Sequence, residues 1–184
     1  MRIVAGKYGS RRIEAPQGMD TRPTQDKIRE AVFSSLGGFF DGGRVLDLYA
    51  GSGAIGFEAL SRGMDEAVFA DISSAAVAVI RRNAETLKEE NVRILKMKAL
   101  KAVKLLGQEE NRFDLVYLDP PYRKQENETV LSALLAEGLL CPGAKVLVES
   151  LKEESFPESV GRLRRVREAV YGITKISYYK MPEE

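Results

Sequence analysis

A chain of 184 residues, 44% apolar and 30% charged, suits one domain with a sizeable core; its net charge of +1 leaves any nucleic-acid contact to local clusters. With no histidine and one cysteine, Cys141, it excludes Ser-His-Asp hydrolysis, histidine metal sites, an internal disulfide and a cysteine metal cluster. No apolar run approaches the roughly eighteen residues of a membrane helix, and Met1-Arg-Ile-Val leads into polar sequence rather than a signal-peptide core, so the cytoplasm is the expected location.

In chain order, residues 2–4 and 11–15 read as a small hairpin around Gly6 and Gly9. Arg2, Lys7, Arg11 and Arg12 meet no acid before Glu14, a cluster expected to contact RNA phosphate. Thr24 can cap a helix to about Leu36, with Asp26 in its first turn and Ile28, Val32 and Leu36 on one face. After Gly42-Gly43, strands and helices alternate. Residues 45–49, 67–70, 92–97, 113–118 and 144–149 read as strands; 54–61, 74–90, 101–106 and 128–137 read as helices, with Ser73 or Ser74 capping the second and Ala76, Ile80 and Leu87 on its inner face. Cys141-Pro142-Gly143 reads as a turn, and residues 164–170 and 173–180 as a terminal hairpin turning at Gly172. Residues 162–180 carry six basic side chains against the single acid Glu168, which suits RNA contact and solvated surface equally.

Two segments carry chemistry. Between strand and helix, Asp47-Leu-Tyr-Ala-Gly-Ser-Gly53, continued to Gly56, matches Gly-x-Gly-x-x-Gly, and Asp71 follows about twenty residues on at a strand end, where a ribose-binding acid belongs. A dinucleotide fits that much. Asp47 argues otherwise: an acid inside the first strand repels a pyrophosphate but suits a ligand with an ammonium and a sulfonium, and a capping role for it is the less favoured reading because apolar residues flank it. The second segment is Asp119-Pro120-Pro121-Tyr122, after the apolar run 113–118. Two prolines fix φ, remove two N–H donors and leave a stiff row of acceptors at a strand's carboxyl end, where open α/β sheets bind ligands.

Together, Asp47–Gly53, Asp71 and Asp119–Tyr122 resemble the S-adenosylmethionine-dependent methyltransferases that modify exocyclic amines of bases. Residues 1–15, the Arg22-Pro-Thr start of residues 21–36, and the late Tyr-Gly-Ile-Thr-Lys-Ile-Ser-Tyr-Tyr narrow this to the bacterial 16S rRNA guanine-N2 methyltransferases, over nearly the whole chain. The resemblance implies a Rossmann-like α/β fold in one domain: a mostly parallel seven-stranded sheet with an antiparallel C-terminal hairpin in residues 41–184, and a small hairpin-plus-helix extension in 1–40. It implies S-adenosyl-L-methionine as cofactor, with Asp71 on the ribose hydroxyls, the backbone of Tyr49, Ala50, Gly51, Ser52 and Gly53 passing the ribose and methionine, Asp47 acting on the ammonium end, and Ile72 beside Asp71. Where many such enzymes carry an acid for the adenine amine, this chain has Lys98-Ala99-Leu100, so backbone groups and apolar packing are expected there. In the resemblance Asp119 and Pro120 accept the target amine's hydrogens, Pro121 stiffens the row, Tyr122 stacks on the base, and Arg22 holds either the methionine carboxylate or an RNA phosphate. The implied partner is 16S rRNA, free or in an assembling small subunit, met by a monomer. A DNA adenine-N6 or other amino-methyltransferase, and a catalytically silent nucleotide-binding module, are the alternatives.

Overall fold

A computed structural model of the chain describes residues 1–19, 23–121 and 124–184, with the side chains at 23–24 and 124–125 outside the description. Arg22, Tyr122 and the Thr24 side chain therefore lie outside the described residues. Two compact units result, Met1–Lys96 and Met97–Glu184.

The first unit runs α1 (Pro23–Ser35), β1 (Arg44–Leu48), α2 (Ala54–Ser61), β2 (Glu66–Asp71), α3 (Ser74–Leu87) and β3 (Val92–Lys96). Its strands are parallel, β2 lying between β1 and β3, with Leu46 opposite Val68 and Phe69 opposite Ile94. Val45, Leu46, Leu48 and the whole run from Ala67 to Ala70 are buried, the continuous apolar pattern of strands covered on both faces. α3 forms because Ser73 Oγ accepts the Ala76 N–H at 3.2 Å, and it buries Ala76, Val77, Ile80, Ala84 and Leu87 at helical spacing. α1 begins two residues earlier than a Thr24 cap would have it. Proline is preorganised for the first helical position, so Pro23 opens the helix and Thr24 falls inside it.

The expected N-terminal hairpin is present in short form, its two arms joined by one antiparallel bridge, Arg2 to Arg12. Its backbone groups are satisfied by cross-arm bonds such as Ile3 N–H to Arg11 O (2.9 Å) and by α2. Gly6 is needed for that approach, since a Cβ there would stand 1.9 Å from the Ser61 carbonyl oxygen.

The second unit runs α4 (Ala99–Gln108), β4 (Phe113–Leu118), α5 (Lys124–Ala136), β5 (Leu140–Leu151), β6 (Ser159–Val160), β7 (Leu163–Tyr171) and β8 (Thr174–Lys180). β4 pairs parallel with β5, and β5 continues antiparallel through β8 and β7 to β6. The described residues hold eight strands, one more than expected; β6 is only two residues long and has no periodicity to announce it. Cys141-Pro142-Gly143 is no free turn. It lies within β5, where the register slips from Phe113 opposite Leu140 to Leu115 opposite Lys145, and Gly143 takes φ 75° and donates its N–H to Pro182 O at 2.9 Å. The terminal hairpin turns at Gly172, φ 63°, as its sequence indicates.

Candidate active site

In the first unit the loop after β1 is held from three directions. Asp47, 2% exposed, turns its carboxylate onto α2 and accepts the Gly56 N–H at 3.0 Å. Gly53, the N-cap residue at φ 80°, has no side chain to cap the helix, so an acid projecting from the strand satisfies a first-turn donor instead. The capping reading that the sequence made second choice is thus the one seen for this oxygen. Asp71, half-buried at the end of β2, accepts the Gly51 N–H on Oδ2 and the Ser73 N–H on Oδ1, both at 2.9 Å. Asn83 on α3, fully buried and not anticipated, donates to both Ser52 O and Glu14 O at 2.9 Å and accepts the Glu14 N–H at 2.8 Å.

The glycines answer to different constraints. A Cβ at Gly56 would lie 2.3 Å from Phe69, so this position permits α2 to pack on β2. A Cβ at Gly51 would lie 2.8 Å from the Met19 methyl, so this one lets that methionine rest on the backbone of the loop crest. Tyr49 holds φ 58°, a conformation non-glycine residues rarely adopt and which clusters at functional loops. Each Asp71 oxygen keeps a lone pair beyond the hydrogen bond it already accepts. Ile72, next along, is 61% exposed. A strand-end carboxylate with spare acceptors, a glycine crest and a presented aliphatic side chain form a surface of acceptors and apolar contact that suits an adenosine ligand. Ser52 itself faces inward, its Oγ accepting the Ala54 N–H at 3.2 Å, so its side chain is not presented to a ligand.

In the second unit Lys98 is the exposed N-cap residue of α4 without a side-chain cap, Ala99 is buried and Leu100 half-buried. At the carboxyl end of β4, Asp119 is exposed, Pro120 buried and Pro121 exposed. A recess of about 120 Å³ opens there, lined by these three together with Asn127, Glu149 and Thr174 among others. Within the unit Tyr117 Oη donates to Glu149 Oε2 at 2.7 Å. Burial pushes the Glu149 carboxyl above its ordinary range, and the tyrosine's hydrogen bond opposes this only in part. A larger cavity, about 450 Å³, includes Arg112, Leu140 and Arg162; it sits at the amino end of β4 and carries no carboxylate among the described residues.

The basic residues divide. Lys7 Nζ pairs with Glu89 at 3.1 Å and Arg11 donates to Thr86 O at 2.6 Å, both beside the Tyr8 ring. Burial pushes the Glu89 carboxyl up, but hydrogen bonds from Tyr8 Oη, the Asn91 N–H and Lys7 outweigh it and hold it below the usual range. Arg2 and Arg12 are exposed. The C-terminal cluster is largely taken up internally, with Arg165 on Glu168 at 2.9 Å and Lys180 on Glu183 at 3.0 Å. Sequence reasoning also missed Glu58, an acid in the otherwise apolar α2 that is fully buried between Arg29 and Arg62. Its signal was readable: a charge on a mostly apolar helix must find partners.

A family model described as Conserved hypothetical protein 95 matches residues 1–180. The chain belongs to that family. Ribosomal RNA small subunit methyltransferase D of Escherichia coli K12 is 32% identical over 180 residues, covering 98% of this chain and 89% of that one. A conserved hypothetical protein of Streptococcus pyogenes is 41% identical and superposes with a TM-score of 0.78, over 83% of this chain and 94% of its own. The fold is also that of the Thermus thermophilus 16S rRNA N2 G1207 methyltransferase solved with AdoMet and guanosine, at TM-score 0.66 and 23% identity over 90% of this chain and 44% of that one. The chain therefore has the Rossmann-like methyltransferase architecture that its motifs imply. Among the described residues no helix is long and apolar enough to cross a membrane.

Proposed function

We propose that this protein transfers the methyl group of S-adenosyl-L-methionine to the exocyclic N2 amine of a guanine in 16S rRNA, as a cytoplasmic monomer acting on free rRNA or an assembling small subunit. The observation that carries the reading is Asp119-Pro120-Pro121 at the carboxyl end of β4 in a chain 32% identical to a small-subunit rRNA methyltransferase. We read residues 1–184 as one methyltransferase domain, with 1–40 as its RNA-facing extension.

The cofactor supplies an electrophilic methyl on a sulfonium, whose carbon–sulfur electron pair stays with sulfur as the thioether. Asp71 would hold its ribose, the Tyr49–Gly53 backbone the ribose and methionine portion, and Ile72 with Lys98, Ala99 and Leu100 the adenine. Asp47 shapes this site chiefly by fixing α2 under the loop, and any action on the ammonium end is secondary. A guanine N2 lone pair is delocalised into the ring and poorly nucleophilic. If the Asp119 carboxylate and the Pro120 carbonyl each accept one N–H, the nitrogen turns toward tetrahedral geometry and its lone pair points at the incoming carbon. As the nitrogen–carbon bond formed and the carbon–sulfur bond broke, Asp119 would guide the departing amine proton along its hydrogen bond to solvent. That is orientation and electrostatic stabilisation, work for which a chain without histidine is equipped. Tyr122 would stack on a base lifted from its helix, with Pro121 holding the loop stiff and Arg22 on a carboxylate or phosphate.

Labelled cofactor offered in parallel to small ribosomal particles, naked rRNA and DNA, followed by nucleoside analysis, tests the reading. N2-methylguanosine in 16S rRNA is the expected product, and N6-methyladenine in DNA would replace the substrate assignment. Asp71→Ala should weaken cofactor binding by about 1.5–3 kcal/mol, the range for a hydrogen bond to a charged group. Calorimetric titration showing unchanged affinity removes Asp71 from the site. Of the N-terminal cations, Lys7 and Arg11 are engaged within the fold, so Arg12→Glu is the cleaner probe of RNA contact. It should lower the salt slope of RNA binding by roughly one or more with cofactor affinity unchanged. A slope equal to wild type would make Arg12 ordinary surface.

A further inference from the structure

Asn127, in the first turns of α5, is 1% exposed, lines the recess beside Asp119-Pro120-Pro121, and its Oδ1 is buried with no hydrogen-bond partner. Buried acceptors without partners are rare, because each forfeits the free energy of hydration it had in the unfolded chain. Among the described residues the only other such side-chain atom is Ser177 Oγ, which does not line this recess. An unmade bond at the edge of a ligand cavity is explained most simply by a donor that arrives with the ligand. The rest of the described wall agrees in sign: Glu149 and Glu154 add carboxylates, and among the described residues no lysine or arginine lines the recess.

Base chemistry says which donor. The amine on C2 of guanine lies between N3, an acceptor, and N1–H, a donor. The amines of adenine and cytosine have instead a ring nitrogen that accepts. A site whose acceptor row grips the amine, with a further buried acceptor alongside, matches guanine and leaves lone pair facing lone pair with the other two. We infer that Asn127 Oδ1 accepts the N1–H of the target guanine and makes the recess selective for amines whose neighbouring ring nitrogen carries hydrogen. This rests on the methyltransferase reading above and adds to it the residue that chooses the base. Asn127 is a specificity-determining contact, distinct from the Asp119 and Pro120 groups that hold the reacting amine itself. The recess, about 120 Å³, has the scale of the edge of a base rather than of a whole ligand.

The test compares guanine with 2-aminopurine, which keeps the amine and lacks the N1 hydrogen, at the mapped target position of rRNA assembled with a synthetic segment. A third substrate, 6-thioguanine, keeps N1–H while changing the group at C6, and so isolates the N1 contact. Single-turnover methylation is measured for wild type, Asn127→Leu and Asn127→Asp. Wild type is expected to prefer guanine over 2-aminopurine roughly ten- to a hundredfold, the scale of one buried hydrogen bond left unmade, and to accept 6-thioguanine. Asn127→Leu should collapse the guanine preference to within a few-fold of unity by slowing guanine alone. Asn127→Asp, which retains an acceptor and has no donor, should keep it. A wild-type enzyme that methylates 2-aminopurine as fast as guanine overturns the inference whether or not a variant folds. So does a preference unchanged in Asn127→Leu, or lost as deeply in Asn127→Asp. Wild type that methylates no rRNA guanine at all fails differently: it removes the methyltransferase reading itself, and this inference with it.

Discussion

Asp119→Ala is expected to bind cofactor with wild-type affinity and to transfer methyl groups about a hundredfold more slowly or worse, the loss typical of one preorganised electrostatic partner. The carboxylate sits at the carboxyl end of β4, followed by a buried proline, so the backbone that presents it is fixed by the buried strand residues Leu115 to Leu118 rather than by Asp119 itself. Removing the side chain should therefore leave the fold intact. Asp119→Asn keeps the shape but offers a neutral oxygen and adds a donor, so it stabilises the positive charge developing on nitrogen less well and should also be impaired. Single-turnover methylation at saturating cofactor and RNA, with affinity measured on the same proteins, separates chemistry from binding. An alanine variant working at the wild-type rate would sink the mechanism. The pH profile carries a second signature. No histidine exists to titrate near neutrality, but Glu149 shares the Asp119 recess and burial raises its pKa, with the Tyr117 hydroxyl opposing. The rate should fall on the acid side as carboxylates that must accept hydrogen bonds become protonated, with a limb above the usual carboxylate range that Glu149→Gln removes.

The parts legible in the sequence were those whose cause is local. Runs such as Val-Phe-Ala in β2 and Leu-Val-Tyr-Leu in β4, short and rich in β-branched and aromatic residues, read as strands covered on both faces, and a Ser followed by a helical apolar stripe starts a helix. Turn glycines at 51, 53 and 172 carry the positive φ their positions suggested. What sequence could not show depends on partners far along the chain. Asp47 and Gly56 are nine positions apart, but the hydrogen bond between them requires β1 and α2 to have packed. Asn83 bonds residues 31 and 69 positions away, and no pattern around it distinguishes it from a solvated helix asparagine. The Cys141-Pro142-Gly143 segment has turn composition and is a turn in miniature, yet its flanks pair with β4, so it becomes a bulge inside a strand. Asn127 is the same lesson at the site: its significance is an unmade bond, which only three dimensions reveal.

Residues 1–15 depend on the least expected group of all. Glu58 Oε1 accepts the Val4 N–H at 2.8 Å and Arg29 Nε at 3.1 Å, while Oε2 accepts the Ala5 N–H and Arg62 Nε, both at 3.1 Å. Arg29 in turn donates to the Arg2 carbonyl, and to Asp26 at 2.9 Å; Arg62 donates to Gly38 O at 2.9 Å and lies 5.2 Å from the Phe33 ring centroid. One carboxylate thus ties the segment carrying Arg2 and Arg12 to α1 and α2 through every lone pair it has.

Glu58→Ala should cost about 3–5 kcal/mol of unfolding free energy, because it strands two buried guanidinium groups and two backbone donors at once. For a protein of this length that corresponds to a fall in Tm of roughly 6–20 °C. The informative comparison is Glu58→Gln, nearly the same shape. An amide presents one acceptor and one NH₂, so whichever way it turns, its two hydrogens face a backbone N–H and an arginine that are both donors themselves. Glutamine should therefore rescue little, losing most of what alanine loses, whereas a site held mainly by packing would tolerate it. Denaturant unfolding gives the two stabilities, and hydrogen exchange at the Val4 and Ala5 amides reports whether the loss is local. Both amides should exchange faster in either variant. A Glu58→Gln protein within about 1 kcal/mol of wild type, a loss no larger than an ordinary hydrogen bond, would show that packing and not the saturated carboxylate holds the N-terminal segment in place.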